Sequence, residues 1–239
     1  MYKRIILKLS GETLAPEKVC ETNASHSFDA ARVDRAAKAI VDLHNLGVQV
    51  GVVMGGGNIW RGRFTDAMNP VLADQMGMLA TIINALAVQD AILRQGVGAT
   101  VFTAQEMTRF ADLYRADRAI AAMERGDIVL LSGGTGNPFF TTDTGAALRA
   151  AELHADAVFK GTTVDGVYTA DPRKDPTATL IRDITYQETI ERGLKVMDTS
   201  AFQLCLDQKL PCIRIFNMDD LDNILRVAKG EPIGTVVHM

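Results

Sequence analysis

Six short apolar runs, rich in Val and Ile, recur along the chain: RIILKL at 4–9, VQVGVVM at 48–54, ATVFT at 99–103, DIVLL at 127–131, DAVFK at 156–160 and PCIRIF at 211–216. Continuous runs of this kind read as strands covered on both faces. Helix-like stretches separate them. Asp29 can cap a helix running to Gly47, with Val33, Ala36, Ala37, Ile40 and Leu43 on one face. Asn69-Pro70 caps and opens a long helix ending near Gln95-Gly96. Residues 117–125, 143–154, 198–208 and 219–229 are further helix candidates. Strands alternating with helices predict a three-layer αβα sandwich around a mainly parallel sheet.

The rhythm breaks near the carboxyl end. TTVDGVYTADPRKDPTATLI carries an Asp165-Gly166 turn between β-formers, a hairpin signal, and then two Asp-Pro pairs that mark irregular chain. ETLAPEKVCETNASHSF at 12–28 is long, polar and poorly patterned, as surface loops are. No repeat or linker separates two domains. A hydrophobic share of 47% with 23% charged residues excludes disorder, and 239 residues suffice for an ample core. The net charge of -4 argues against a nucleic-acid or polybasic membrane role but leaves small anions open. Cys20, Cys205 and Cys212 form no CxxC pair and suit a reducing, cytoplasmic setting, two of them as core residues. There the Asn23-Ala24-Ser25 sequon reads as chance. The apolar start is too short for a signal peptide and is broken by Lys8, and nothing later reads as a membrane span.

Candidate chemistry lies at the strand ends. Lys8 sits in an otherwise buriable run, where an ammonium is costly without water or an anionic partner, and Ser10-Gly11 follow it. Lys160-Gly161 repeats the arrangement. Two lysines at the carboxyl ends of two strands can converge on one polyanion; each alone could equally snorkel at a strand edge. VVMGGGNIWRG offers a glycine turn whose amides can cradle phosphate, with Arg61 four residues after Gly57; a plain tight turn is the alternative. Neither GxxxxGK[ST] nor GxGxxG occurs, and His26, His44, His154 and His238 have no ligand or triad spacing. Asp143 can cap the helix that follows it, hold Lys8 and Lys160, or do both. Phe139 and Phe140, ringed by small and hydroxyl residues in TGNPFFTTD, suit a slot for a flat ring better than a plain strand.

KLSG at 8–11, MGGGNIWRG at 54–62, DQMGMLAT at 74–81, TGNPFFTTD at 135–143 and VDGVYTADPRKDP at 164–176 together resemble the bacterial uridylate kinases of the amino acid kinase superfamily, over nearly the whole chain. The resemblance implies one amino acid kinase-type domain over 1–239, with an acceptor-nucleotide lobe at about 1–150 and an ATP lobe at 151–239. It implies transfer of the ATP γ-phosphoryl group to UMP, Mg2+ arriving as Mg-ATP, and a homohexamer. Carried over by motif, the catalytic set is Lys8, Arg61, Asp143 and Lys160. Lys8, Leu9, Ser10, Gly11, Gly57, Arg61, Thr162, Tyr168 and Asp171 fall to ATP. Gly56, Asp74, Thr135, Gly136, Asn137, Pro138, Phe139, Phe140, Thr141 and Thr142 fall to UMP, Asp74 through the ribose hydroxyls. No protein ligand for the metal is implied.

Two departures accompany the match. Thr163 stands where family members often carry lysine, and the 12–28 loop replaces a glycine-containing loop that contributes to a GTP effector site. GTP activation is therefore not carried over, whereas UTP inhibition is. A kinase acting on an amino acid, carbamate or isopentenyl phosphate, and a nucleotide-binding sensor without turnover, are the rival readings. PFFTTD with Asp74 distinguishes the first, and Lys8, Arg61, Asp143 and Lys160 together distinguish the second.

Overall fold

The structure, a computed structural model, describes residues 2–16, 27–62 and 67–239. Cys20, His26, the Asn23 sequon and the middle of the 12–28 loop lie outside them. In chain order the elements are β1 (Arg4–Leu9), α1 (Ala30–Asn45), β2 (Gln49–Met54), α2 (Pro70–Leu93), β3 (Ala99–Thr103), β4 (Asp112–Leu113), α3 (Ala116–Glu124), β5 (Ile128–Ser132) and α4 (Thr142–Glu152). Then come β6 (Ala157–Thr162), β7 (Val167–Tyr168), β8 (Leu180–Ile181), β9 (Asp183–Thr185), α5 (Tyr186–Glu191), α6 (Thr199–Asp207), β10 (Cys212–Asn217), α7 (Asp222–Ala228) and β11 (Thr235–His238).

The six apolar runs are the long strands of one nine-stranded sheet, ordered β4-β3-β5-β2-β1-β6-β10-β11-β9. All its pairings are parallel except that of β10 with β11. Period-two alternation divides each strand between two cores. Ile5, Leu7 and Leu9 of β1 join Val50 and Val52 beneath α1, α2 and α7. Ile6, Val53, Val129 and Val158 face the α3, α4 and α6 side. Burying a large apolar side chain contributes about 1.5–3 kcal/mol, so the central strands hold both helical layers to the sheet.

Local capping follows the sequence at two helices. Asp29 accepts from the Arg32 amide at 3.0 Å. Asn69 accepts from the Val71 amide at 2.9 Å, with Pro70 opening α2. At α4 the cap is Thr141, whose hydroxyl accepts from the Asp143 and Thr144 amides, which leaves the Asp143 carboxylate for another role.

Two expectations need correction. Asp165-Gly166 does not close a hairpin between its flanking strands: β7 pairs with β8, across the Asp-Pro segment. The turn instead leads the chain off the main sheet, where the Val167 amide donates to Thr235 Oγ1 at 2.8 Å. And α2 is long and apolar enough by length and composition to cross a membrane, contrary to the sequence reading. Within the fold, 44% of that apolar window is buried, and Asn84 inside it is fully buried and hydrogen-bonded. Cys205 is buried and Cys212 half-buried, both as free thiols.

Candidate active site

β1 and β6 are neighbours near the middle of the sheet, and Lys8 pairs directly with Lys160 in their parallel register. Equal register sends both side chains to one face, that of Ile6 and Val158. α4 covers this face and brings Asp143 between them. Lys8 Nζ lies 2.8 Å from Asp143 Oδ1, and Lys160 Nζ donates to Oδ2 at 2.5 Å. Only 12%, 14% and 8% of the Lys8, Asp143 and Lys160 side chains remain accessible. Burial by itself pushes the Asp143 carboxyl up, but the two ammoniums outweigh it and hold the group below the usual carboxylate range. Lys160 is lowered to about 8, first by burial and then by repulsion from Lys8, with Asp143 opposing both. Asp143 is thus a charged anchor and a poor base.

The glycine turn after β2 folds against this centre. A Cβ on Gly11 would collide with Asn58 Oδ1 and stand 2.6 Å from the Gly55 carbonyl oxygen, so the KLSG and MGGG loops meet backbone to backbone. A Cβ on Gly56 would likewise stand 2.8 Å from Ala80 Cβ. Asn84, reaching from α2, donates to the Gly55 carbonyl at 2.7 Å and to Asn58 Oδ1 at 2.8 Å, and Asn58 donates back at 3.0 Å. This amide pair clamps the turn.

Two cavities adjoin the centre. The larger, about 400 Å³, is lined by Ser10, Glu12 and Thr13, by Arg32 and Arg35 of α1, and by Gly161, Thr162, Thr163, Met218, Asp219 and Leu221 on the far side. The smaller, about 140 Å³, is lined by Gly56, Trp60, Asp74, Gly77, Thr81, Gly134, Thr135, Asn137, Phe140 and Thr142 among others. Its floor is tied together from three directions. Thr81 Oγ1 accepts from the Gly133 amide at 2.8 Å. Arg149, buried and stacked 3.8 Å over the Tyr114 ring, donates to the Gly134 carbonyl at 3.3 Å. Asp198 at the start of α6 accepts from the hydroxyls of Thr141 and Thr144, which flank Asp143.

The sequence candidates distribute unevenly over this geometry. Lys8, Asp143 and Lys160 come together. Ser10 and Thr162 line the larger cavity; Gly56, Asp74, Thr135, Asn137, Phe140 and Thr142 line the smaller. Gly11 and Gly57 belong to the loops between. Gly136, Pro138, Phe139 and Thr141 complete the loop segment, with Phe139 72% exposed. The Leu9 side chain is in the core, and its carbonyl accepts from the Gly55 amide, so only its backbone is near the site. Arg61 lies on the rim, paired with Glu12 and donating to the Gly57 carbonyl at 3.1 Å. Tyr168 and Asp171 stand outside the larger cavity's lining; the Tyr168 hydroxyl meets Asp165 at 3.3 Å and Asp171 Oδ1 accepts from the Arg173 amide. Asn58, Trp60, Thr81, Asn84, Arg149 and Asp198 were not singled out. Asn84 alone had a signal: an amide inside an otherwise apolar helix.

A lysine-carboxylate-lysine centre between two cavities, at the carboxyl ends of parallel strands, is a site for polyanions. Residues 3–217 match the model of the amino acid kinase family, and the chain belongs to that family. It is 52% identical to a uridylate kinase of Bacteroides thetaiotaomicron over 99% of this chain and 98% of that one. The UMP kinase structure from Bacillus anthracis superposes with a TM-score of 0.92 at 34% identity, covering 99% and 96% of the two chains. That from Ureaplasma parvum does so at 0.91 and 34% over the full length of both.

Proposed function

We propose that this protein transfers the γ-phosphoryl group of ATP to UMP, giving UDP and ADP. The observation that carries the reading is that the two cavities end on residues adjoining one charged centre: Gly161 of the larger follows Lys160, and Thr142 of the smaller precedes Asp143. ATP takes the larger cavity and UMP the smaller. An oxygen of the UMP phosphate forms the new bond to the γ-phosphorus, the bond to the bridging oxygen breaks, and ADP leaves. That acceptor oxygen needs no base, because its second pKa is about 6. Lys8 and Lys160 offset charge on the transferring group, and Asp143 keeps both ammoniums aimed. Mg2+ enters as part of the ATP substrate, where it neutralises phosphate charge.

The division into acceptor (about 1–150) and donor (about 151–239) lobes belongs to this proposal with one adjustment, since Ser10, Glu12, Thr13, Arg32 and Arg35 also line the donor cavity. Self-association, with a homohexamer as the state to test, is supported by Leu72, Met76, Leu79 and Ile83, which form an exposed apolar stripe at helical spacing on α2. UTP inhibition, and a cytoplasmic setting consistent with the free thiols of Cys205 and Cys212, complete the reading. Its test is ADP release from Mg-ATP with UMP, CMP, dUMP and AMP offered separately. Activity confined to UMP is the expected result; phosphorylation of none of the four overturns the assignment. Lys8→Ala and Lys160→Ala each lower kcat far more than they raise the KM for UMP.

A further inference from the structure

Arg149 is a buried cation that the transfer chemistry does not use, with 6% of its surface accessible. A guanidinium withdrawn from water is costly unless its charge is paired and its N–H groups find acceptors. Its Cζ stands 3.8 Å from the centroid of the Tyr114 ring. Nη1 donates to Glu152 Oε2 at 2.7 Å, and the Tyr114 hydroxyl donates to the same oxygen at 2.8 Å. Burial, and after it Glu152, push the Tyr114 phenol up, so it stays protonated and keeps donating. A guanidinium is a rigid planar fork, so a ring against its face and a carboxylate at one nitrogen leave the other nitrogen little freedom. That nitrogen, Nη2, donates to the Gly134 carbonyl at 3.3 Å.

Gly134 is where the acceptor loop most needs a hold. Gly133 and Gly134 are both left-handed, with φ of 76° and 61°, and glycine backbone has no side chain to pin it. Thr81 holds the Gly133 amide, and Gln105 Nε2 donates to the Gly136 carbonyl at 2.9 Å. The Gly134 carbonyl between them takes its bond from Arg149. Gly145, four residues before Arg149 on the same face of α4, lets the helix come close, since a Cβ there would stand 3.6 Å from the Gly134 carbonyl carbon. α4 therefore carries Asp143 of the transfer centre in its first turn and the hold on the acceptor loop in its last.

We infer that Arg149 is a positioning residue of the acceptor site: through the Gly134 carbonyl it fixes the loop whose Gly134, Thr135, Asn137 and Phe140 wall the smaller cavity, and so sets where UMP lies relative to the transfer centre. The inference rests on the UMP kinase reading. A structural role and a positioning role make different demands on the side chain. Neutralising Glu152 needs one positive charge, which a lysine also supplies, whereas holding Gly134 at the same time needs the second nitrogen of the fork. The donor cavity contains no part of this loop, so a positioning role affects the two substrates unequally.

The experiment measures the KM for UMP and for Mg-ATP in the full-length wild type and Arg149→Lys, well below the melting temperature of each. Alongside it, amide hydrogen exchange of the 133–140 loop is followed by mass spectrometry without nucleotide. Arg149→Lys is expected to raise the KM for UMP about tenfold, the lower end for a hydrogen bond from a charged group, to leave the KM for ATP unchanged, and to speed exchange in the loop. Glu152→Ala removes the carboxylate that aims the fork; Glu152 keeps 34% of its side chain accessible, so its loss opens no core. That variant should raise the KM for UMP in the same direction by a smaller factor, and it carries the test if Arg149→Lys does not fold. An unchanged KM for UMP overturns the proposal, and so does an equal rise for both substrates, which marks a general loosening. A wild type that phosphorylates no UMP, with a loop that still exchanges faster in the variants, would overturn the UMP reading and leave the hold on Gly134 standing.

Discussion

Replacing Asp143 with Asn changes the charge at the centre of the molecule while keeping its shape. In the native protein two ammoniums lie 2.8 and 2.5 Å from the carboxylate oxygens. At an effective dielectric of about 20, each contact is worth roughly 6 kcal/mol before desolvation. Two such attractions outweigh the burial of one carboxylate, consistent with its lowered pKa. Removing the charged partner of a buried pair costs about 3–5 kcal/mol net, and for a chain of this size each kcal/mol moves Tm by about 2–4 °C. A drop of roughly 6–20 °C is therefore expected between mildly acidic and neutral pH.

That loss has a pH signature. Asp143 raises the pKa of Lys160, so without it Lys160 titrates below about 8. Once neutral, Lys160 no longer repels Lys8. The stability deficit of the variant is thus fullest at mildly acidic pH, narrows as pH rises toward 8, and is lost below the carboxylate range, where Asp143 of the wild type itself takes up a proton. Above that point Lys160 is neutral in both folded proteins but still charged in both unfolded chains, so each gains about 1.4 kcal/mol per pH unit and the deficit stays level. Thermal unfolding at pH 6 and pH 8.5 measures this directly, and ADP release at the same pH values should show turnover reduced about a hundredfold. Equal melting of variant and wild type at pH 6, with turnover within twofold, would refute the assigned role of the carboxylate.

Lys160 also predicts that kcat/KM for ATP falls as pH rises through about 8, where the free protein loses the ammonium; the corresponding limb in kcat lies at higher pH, since bound phosphate stabilises the charge. A flat profile between pH 7 and 9 contradicts this. Gly11→Ala should cost about 1–3 kcal/mol and weaken ATP binding, because its methyl meets the Gly55 carbonyl and Asn58; calorimetric titration with ATP checks it. Asn84→Leu leaves the Gly55 carbonyl without its side-chain donor and Asn58 without its buried partner, for a loss of about 1–3 kcal/mol in denaturant unfolding. Leu79→Glu with Ile83→Glu should shift the protein to a smaller species in light scattering while the monomer stays folded.

The central strands were legible because burial on both faces leaves an unbroken apolar run; RIILKL is β1 residue for residue. The edge strands β4 and β9 were not, being two and three residues long with few apolar positions to mark them. Non-local pairing was equally hidden: nothing in VDGVY says that β7 will pair with Leu180–Ile181 rather than fold back on β6. Lys8 and Lys160 stood out as charges in buriable sequence, and Asp143 as a carboxylate near them. Which residue of TTD caps α4 was not decidable, since threonine and aspartate both cap well. Arg149 and Asp198 act through contacts with segments far along the chain, and a sequence carries no mark of a partner that only folding supplies.

The pairing of Lys8 with Lys160 has a consequence for how the molecule comes into being. The two lysines are brought together only when β6 docks beside β1, late in synthesis from the amino terminus. Until then Lys8 has only Val53 of β2 beside it in register, and the anchor on α4 has one ammonium instead of two. A nascent chain released before Lys160 emerges holds the entire acceptor loop but lacks one side of the transfer centre. Phosphoryl transfer is thus tied to completion of the fold, and a truncated product should not consume nucleotide.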